Sequence, residues 1–357
     1  MIYQITRNQK RNNQKRNNQK RNNEKRLQLS KMGNEQPNIE KREMSNEITR
    51  SDLRIVFMGT PEFAVASLKA LVEKGYNIVG VITAPDKPAG RGMKLTESAV
   101  KQYAVEKGLR ILQPEKLKNP EFIHELQSLQ ADLQVVVAFR MLPEVVWNMP
   151  KLGTINVHGS LLPQYRGAAP INWAVINGEK ETGVTTFKLQ HAIDTGNILL
   201  QEKFPIGENE TAGEVHDRMK QIGAQLLIKT VEGLQKGIVQ EKNQDDSAAN
   251  IELKHAPKIF TETSVINWNK SVDELHNLIR GLSPNPGAIT TLQDKILKIY
   301  KSEKDKVQHT HSPGEYETDG KTYLKFACTN GFIYAKEVQL EGKKRIAIED
   351  FLRGYRF

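Results

Sequence analysis

The first chemistry legible in the chain lies in the run Thr154-Ile155-Asn156-Val157-His158-Gly159-Ser160-Leu161-Leu162-Pro163, followed by Gln164-Tyr165-Arg166-Gly167-Ala168-Ala169-Pro170. A short β-branched stretch predicts a strand. On it Asn156 and His158, two residues apart, leave the same face while Ile155 and Val157 point into the core. An amide that donates to a developing oxyanion and an imidazole that moves protons form a working pair. Either residue alone is most simply a satisfied structural polar group. The pairing, the shared face and the rigid loop set by Pro163 and Gly167 favour a site, because open α/β sheets bind ligands outside the carboxyl ends of their strands. A carboxylate is available in His191-Ala192-Ile193-Asp194-Thr195-Gly196, between strands expected over 181–189 and 198–204. Asp194 alone reads as a turn residue. It becomes chemical only if the fold carries it to the imidazole.

The elements that must position these groups follow from periodicity. Residues 53–58 form a buried strand ended by Gly59-Thr60-Pro61, with Thr60 as the expected cap and Pro61 at the first position of a helix to about residue 74. A second strand over 76–82 completes a βαβ unit with a parallel pair. Its turn has no G-x-G-x-x-G, which argues against a dinucleotide site. Helices over 96–107, 120–129, 171–176 and 214–236 and strands over 110–112 and 132–139 continue the alternation. The central strand ends in Phe139-Arg140-Met141-Leu142-Pro143, expected to wall the same crevice as Asn156 and His158. Residues 240–257 are polar and read as a linker. After Lys258 the texture changes to a helix over 272–280 and short strands over 288–292, 296–300, 321–327, 332–338 and 344–348, the pattern of a small β-barrel. Such barrels often bind oligonucleotides.

Length favours two folded domains. The net charge of +10 is concentrated at one end: residues 1–50 hold 13 of 52 basic and 5 of 42 acidic residues, which leaves +8 in that segment and +2 in the rest. The segment repeats Gln-Lys-Arg-Asn-Asn with a period of five and cannot bury enough apolar surface to offset its ordering entropy, so disorder is expected. It reads either as an electrostatic arm for RNA or as an upstream extension with the working start at Met32 or Met44, the second being favoured. The single cysteine, Cys328, excludes an internal disulfide and a cysteine metal cluster, and reads as a small apolar strand residue. With no secretory h-region and no apolar run long enough to span a bilayer, a cytoplasmic protein is expected; it is expected to use no metal and to act as a monomer. The loop Asp86-Lys87-Pro88-Ala89-Gly90-Arg91-Gly92-Met93-Lys94 sets three cations among glycines and a proline. Composition supports equally an RNA-contacting segment and an ordinary solvated loop.

The Asn156 to Pro163 run, joined to Asp194-Thr195-Gly196, resembles the folate-dependent formyltransferases. Gly59-Thr60-Pro61-Glu62-Phe63-Ala64, Pro88-Ala89-Gly90-Arg91-Gly92 and Arg166-Gly167-Ala168-Ala169-Pro170 are similar to the branch of that family that acts on charged tRNA. The likeness runs from about Leu53 to the C-terminus. It implies a Rossmann-like formyltransferase domain with a mostly parallel sheet over 51–239, the linker, and an OB-like β-barrel over 258–357 that assists tRNA binding. It further implies 10-formyltetrahydrofolate as donor and initiator methionyl-tRNA as acceptor. By position, Asn156, His158 and Asp194 become the catalytic set. Ser160, Leu161, Leu162 and Pro163 with Phe139, Arg140, Met141 and Leu142 become the folate site. Lys87, Arg91 and Lys94 become tRNA contacts at the acceptor end. Arg140 departs from the family pattern, which commonly has a glycine after the aromatic residue, and it offers a cation to the acidic tail of the folate.

An α-amino group has a reference pKa of ~8, so part of it is already a neutral nucleophile and no activated Ser or Cys is needed. Two rivals remain at this level. One is a formyltransferase or formyl-folate hydrolase acting on a small molecule, which the 86–94 loop and the barrel argue against. The other is a non-catalytic RNA-binding protein with the same fold, which the three polar residues argue against.

Overall fold

The computed structural model describes residues 20, 49–89, 94–244, 246 and 252–357. The basic segment before residue 49, apart from residue 20, and Arg91 with its neighbours therefore lie outside the described residues. The N-terminal lobe opens with β1 (Arg54–Gly59), α1 (Glu62–Glu73) and β2 (Asn77–Ile82), and β1 pairs with β2 in parallel as expected. Pro61 rather than Thr60 occupies the cap, without a side-chain hydrogen bond, and the helix starts one residue later than the sequence suggests. Next come β3 (Lys87–Ala89), β4 (Lys94–Thr96), α2 (Ala99–Glu106), β5 (Ile111–Leu112), α3 (Pro120–Ser128), β6 (Leu133–Val137), α4 (Glu144–Trp147), β7 (Thr154–His158), β8 (Arg166–Gly167), α5 (Pro170–Ile176), β9 (Glu181–Lys188), β10 (Ile198–Pro205) and α6 (Ala212–Gln235).

Seven of these strands form one sheet in the order β10-β9-β7-β6-β1-β2-β5. It is parallel from β7 to β5 and antiparallel at β9 and β10. The run Leu133-Gln134-Val135-Val136-Val137 is fully buried, as a strand covered on both faces must be. Ile155 and Val157 of β7 join a core that also contains Phe57, Leu68 and Met219. The side-chain alternation that buries them sends Asn156 and His158 to the other face. The long helix α6 begins in a reciprocal cap, in which Thr211 accepts from Glu214 N and Glu214 accepts from Thr211 N.

The C-terminal lobe adds β11 (His255–Ala256), α7 (Thr261–Ser264), α8 (Val272–Gly281), β12 (Ala288–Leu292), β13 (Lys295–Asp305), β14 (Tyr316–Thr318), β15 (Leu324–Cys328), β16 (Gly331–Leu340), β17 (Ile346–Ala347) and α9 (Ile348–Gly354). Six of these strands make an antiparallel sheet in the order β12-β13-β16-β15-β14, with β17 on β16. It curls around α8 as an OB-like half-barrel, and the register shifts between Ile299 and Ser302 bend the long β13. That strand runs past the expected 296–300 because β16 continues to pair with its charged end, where Lys304 meets Asp273 of α8 at 3.1 Å. The expected strand over 344–348 shortens to Ile346–Ala347, and the chain turns into α9 at Ile348. Cys328 is buried in β15, as its apolar reading requires. The lobes meet where α8 packs on α5: Asn172 donates to the Gly281 carbonyl at 2.8 Å, and the buried Arg280 donates to the Glu210 carbonyl at 2.9 Å.

Candidate active site

His158 ends β7 and is buried, with 7% of its surface exposed. Its Nε2 lies 3.0 Å from the Tyr165 carbonyl. A carbonyl only accepts, so Nε2 carries its proton there and Nδ1 is the ring nitrogen left to exchange one. Nδ1 faces Asp194 Oδ2 at 3.8 Å, with the two side chains 8% and 13% exposed. That separation is too long for a direct hydrogen bond and short enough for a strong charge interaction once the ring is protonated. The fold therefore brings together the imidazole and the carboxylate, which the sequence places 36 residues apart.

Asp194 reaches this place through an unusual backbone. Its φ is 54°, in the left-handed region. Gly196 follows where a Cβ would lie 1.6 Å from the Lys188 carbonyl, so only glycine lets the loop close against β9. The carboxylate oxygen that faces His158 also accepts the Gly167 N–H at 3.0 Å. Gly167 has φ 127°, and a Cβ there would meet the Ala256 carbonyl at 2.5 Å. The β8 strand thus lies against β11, in parallel register with His255–Ala256. Asn156 sits two residues before His158, partly exposed, and no described residue is hydrogen-bonded to its amide. It is available to a ligand.

The other predicted positions separate into two groups. Ser160 is fully buried and donates to the Gln164 carbonyl at 2.7 Å, while Leu162 packs with Phe187 and Ile198. Pro163 is buried and Leu161 is partly exposed. These residues shape the loop more than they present side chains. The turn after β6 behaves differently: Met141 is 72% exposed, Phe139 partly so, and Leu142 is buried. With Arg140, Pro143, Glu144, Val145 and the cations Lys116 and Lys118, Met141 and Leu142 line a cleft of about 920 Å³. Asn156, His158 and Asp194 are not among its lining residues. Arg140 donates to the carbonyls of Pro114 and Glu115, and partial burial lowers its pKa. No carboxylate neutralises it among the described residues.

The 86–94 segment, read from composition either as an RNA-contacting or as a solvated loop, is flanked by a two-stranded ladder, Lys87 pairing with Thr96 and Ala89 with Lys94. Its base is tied down. Lys101 and Gln113 donate to the Asp86 carboxylate, and these bonds hold the carboxyl below the usual range. Lys87 is exposed on β3, Lys94 is described by its backbone alone, and Arg91 lies outside the described residues.

Three contributors escape sequence reading. The Tyr165 carbonyl fixes the imidazole, the Gly167 amide holds the carboxylate, and Gln244 binds the loop that bears it. The Arg166-Gly167 pair carried a weak signal as a glycine beside a cation; a carbonyl and a linker glutamine carry none. The Tyr165 phenol is buried against Glu179, and burial first, then that carboxylate, push its pKa up.

Residues 53–231 match the family described as formyl transferase, and residues 258–356 match its C-terminal domain. Methionyl-tRNA formyltransferase of Bacteroides fragilis is 54% identical over 311 residues, covering 86% of this chain and 96% of that protein. The proteins of the same name from Phocaeicola vulgatus and Parabacteroides distasonis are 57% and 56% identical, each covering 86% of this chain and 97% of the relative. Among solved structures, WlaRD, a sugar 3N-formyl transferase crystallised with dTDP and 5-N-formyl-THF, superposes with a TM-score of 0.60 at 23% identity, covering 82% of this chain and 99% of that one. HypX from Aquifex aeolicus in complex with tetrahydrofolic acid gives a TM-score of 0.57 at 16% identity, over 84% of this chain and 48% of that one. At such identities these two establish the fold alone.

Proposed function

The chain belongs to the formyl transferase family, and on that premise we propose that it transfers the formyl group of 10-formyltetrahydrofolate to the methionyl amino group of initiator tRNA. The observation that carries the chemistry is the 3.8 Å approach of His158 Nδ1 to Asp194, beside an unpartnered Asn156 amide. The acceptor follows from identity of 54–57% to enzymes named for methionyl-tRNA over nearly their whole length.

The folate donor suits the cleft after β6. Leu117, Met141, Leu142 and Val145 offer apolar walls for a flat ring system, and Lys116, Lys118 and Arg140 offer cations for an acidic tail. The formyl carbon would then lie towards β7. The neutral amine attacks that carbon, and negative charge builds on the formyl oxygen. Asn156 donates to it, as does Nδ1–H of a protonated His158. Preorganised donors of this kind contribute about 10²-fold or more each. The adduct carries an ammonium nitrogen next to the departing folate nitrogen. Asp194 accepts the ammonium proton, directly or through water, and stabilises the imidazolium. As the formyl oxygen re-forms its carbonyl and the bond to the folate nitrogen breaks, Asp194 passes that proton on to the folate nitrogen, directly or through the same water, which leaves tetrahydrofolate and N-formylmethionyl-tRNA.

Lys87, Arg91 and Lys94 on and between β3 and β4 are proposed to meet the acceptor end of the tRNA, and residues 258–357 to assist its binding, with the protein acting as a monomer. The test mixes the protein with 10-formyltetrahydrofolate and either initiator or elongator methionyl-tRNA and follows N-formylmethionine. Product from the initiator form in clear preference is expected. No product from either tRNA overturns the proposal.

A further inference from the structure

The geometry points to Gln244, in the segment that joins the two lobes, as a positioning residue for Asp194. The inference rests on the formyl-transfer reading above, which gives Asp194 its task. A polar side chain in a linker has no reason to be buried, yet Gln244 is 0% exposed. Burying an amide costs free energy unless every donor and acceptor is paired. Here all are. Oε1 accepts from Arg166 Nε at 3.0 Å and Nη2 at 2.8 Å, and Nε2 donates to the carbonyls of Asp194 at 2.9 Å and Gly196 at 2.7 Å. With two lone pairs and two hydrogens engaged, the amide has no capacity left.

These four bonds join the two backbone pieces that define the carboxylate. One is the Asp194–Gly196 turn, held at a left-handed φ that the surroundings must maintain. The other is β8, whose Arg166 precedes the Gly167 amide that binds Asp194 Oδ2. Two residues earlier, Lys242 and Ile198 exchange backbone hydrogen bonds of 2.8 Å each, which fixes the register of the approach. The same connecting segment also reaches the imidazole from the other side. The Tyr165 amide donates to the Lys254 carbonyl at 2.6 Å, and the Tyr165 carbonyl is the one that accepts from His158 Nε2. Carboxylate and imidazole are therefore both held by chain that the sequence presents as a spacer, and Gln244 is the side chain through which it holds the carboxylate.

Glutamate at this position keeps the acceptor for Arg166 but cannot donate to the two carbonyls. In the full-length chain, Gln244→Glu should lower kcat by about tenfold or more while leaving KM for tRNA and folate within about twofold, since orientation is lost and binding is not. A double-mutant cycle separates this from general damage. In an Asp194→Asn background, Gln244→Glu should cost less than about threefold, because the carboxylate it positions is already gone. An equal loss in both backgrounds, or a kcat within about twofold of wild type, overturns the role. If Gln244→Glu does not fold, as judged by circular dichroism, Gln244→Asn, which keeps the amide but is shorter by a methylene, runs the same cycle against the same limits. Absence of product from the wild-type protein overturns the formyl-transfer reading, and this role with it. Product from wild type with equal losses overturns Gln244 alone.

Discussion

Replacing Asp194 with asparagine tests the charge rather than the shape of the site. The side chain stays nearly isosteric, and an amide oxygen can still accept the Gly167 N–H now 3.0 Å from Oδ2. What disappears is one negative charge 3.8 Å from His158 Nδ1, in a pair only 8% and 13% exposed. At that distance and an effective dielectric of ~20, two unit charges interact by about 4 kcal/mol. Burial limits screening by salt. If the imidazolium is present only while charge develops on the formyl oxygen, the whole of that energy is lost from the transition state, which corresponds to a fall in kcat of about 10³-fold. Single-turnover formylation with saturating donor, quenched in acid and scored as N-formylmethionine, measures it. Binding of methionyl-tRNA, followed by filter retention, should change by less than about twofold. A fall in rate below about tenfold would show that the carboxylate does not support a charged His158, and the proton-transfer scheme would fail with it.

Three further outcomes follow from other parts of the molecule. Gly196→Ala puts a Cβ 1.6 Å from the Lys188 carbonyl, so the loop must shift; a loss of about 1–3 kcal/mol in urea unfolding together with a loss of turnover is expected, and wild-type behaviour in both would refute the fit. Arg91→Leu, between β3 and β4, should raise KM for initiator methionyl-tRNA and leave folate binding alone; an unchanged kcat/KM for the tRNA would remove Arg91 from recognition. His276 in α8 is buried beside Ser302, and desolvation, then Arg280 and Lys304, lower its pKa against the opposing pull of Glu208. Its unfolded value is ~6.5, so the unfolded chain binds the proton more readily, and stability present above that pH is lost as the pH falls towards the folded value. Urea melts between about pH 7 and 5 should therefore be flatter in His276→Gln than in wild type, and equal slopes would contradict the assignment.

The strands and helices of the N-terminal lobe were legible because each has a strong period. The all-apolar Val135-Val136-Val137 stretch, the alternation around Asn156 and the stripe of α6 leave little choice. The same-face relation of Asn156 and His158 followed from strand geometry alone. The meeting of His158 with Asp194 did not, since it depends on β9 running antiparallel beside β7 and on a turn closed by Gly196. Backbone donors and acceptors leave no trace in residue types, which is why the roles of the Tyr165 carbonyl and the Gly167 amide are not legible in the sequence. Gln244 was hidden for another reason: its neighbours are polar, and polarity in a run of Asn, Gln and Asp reads as solvation. The charged end of β13 was missed likewise, because a strand written in Lys, Ser and Glu is recognisable only from its partner β16.

The stitching of Lys242, Gln244 and residues 254–257 onto β8 and the Asp194 turn bears on how this enzyme can be dissected. The two matched family segments end and begin at residues 231 and 258, which invites truncation or chimera-making in the gap between them. A fragment stopping there would keep its sheet and its imidazole yet shed Gln244, the Lys254 carbonyl and the β11 edge. Grafting a foreign C-terminal module therefore has to retain the native sequence through Pro257, whose carbonyl accepts from Trp173 at 2.7 Å and marks the last point of attachment before the chain departs for α7.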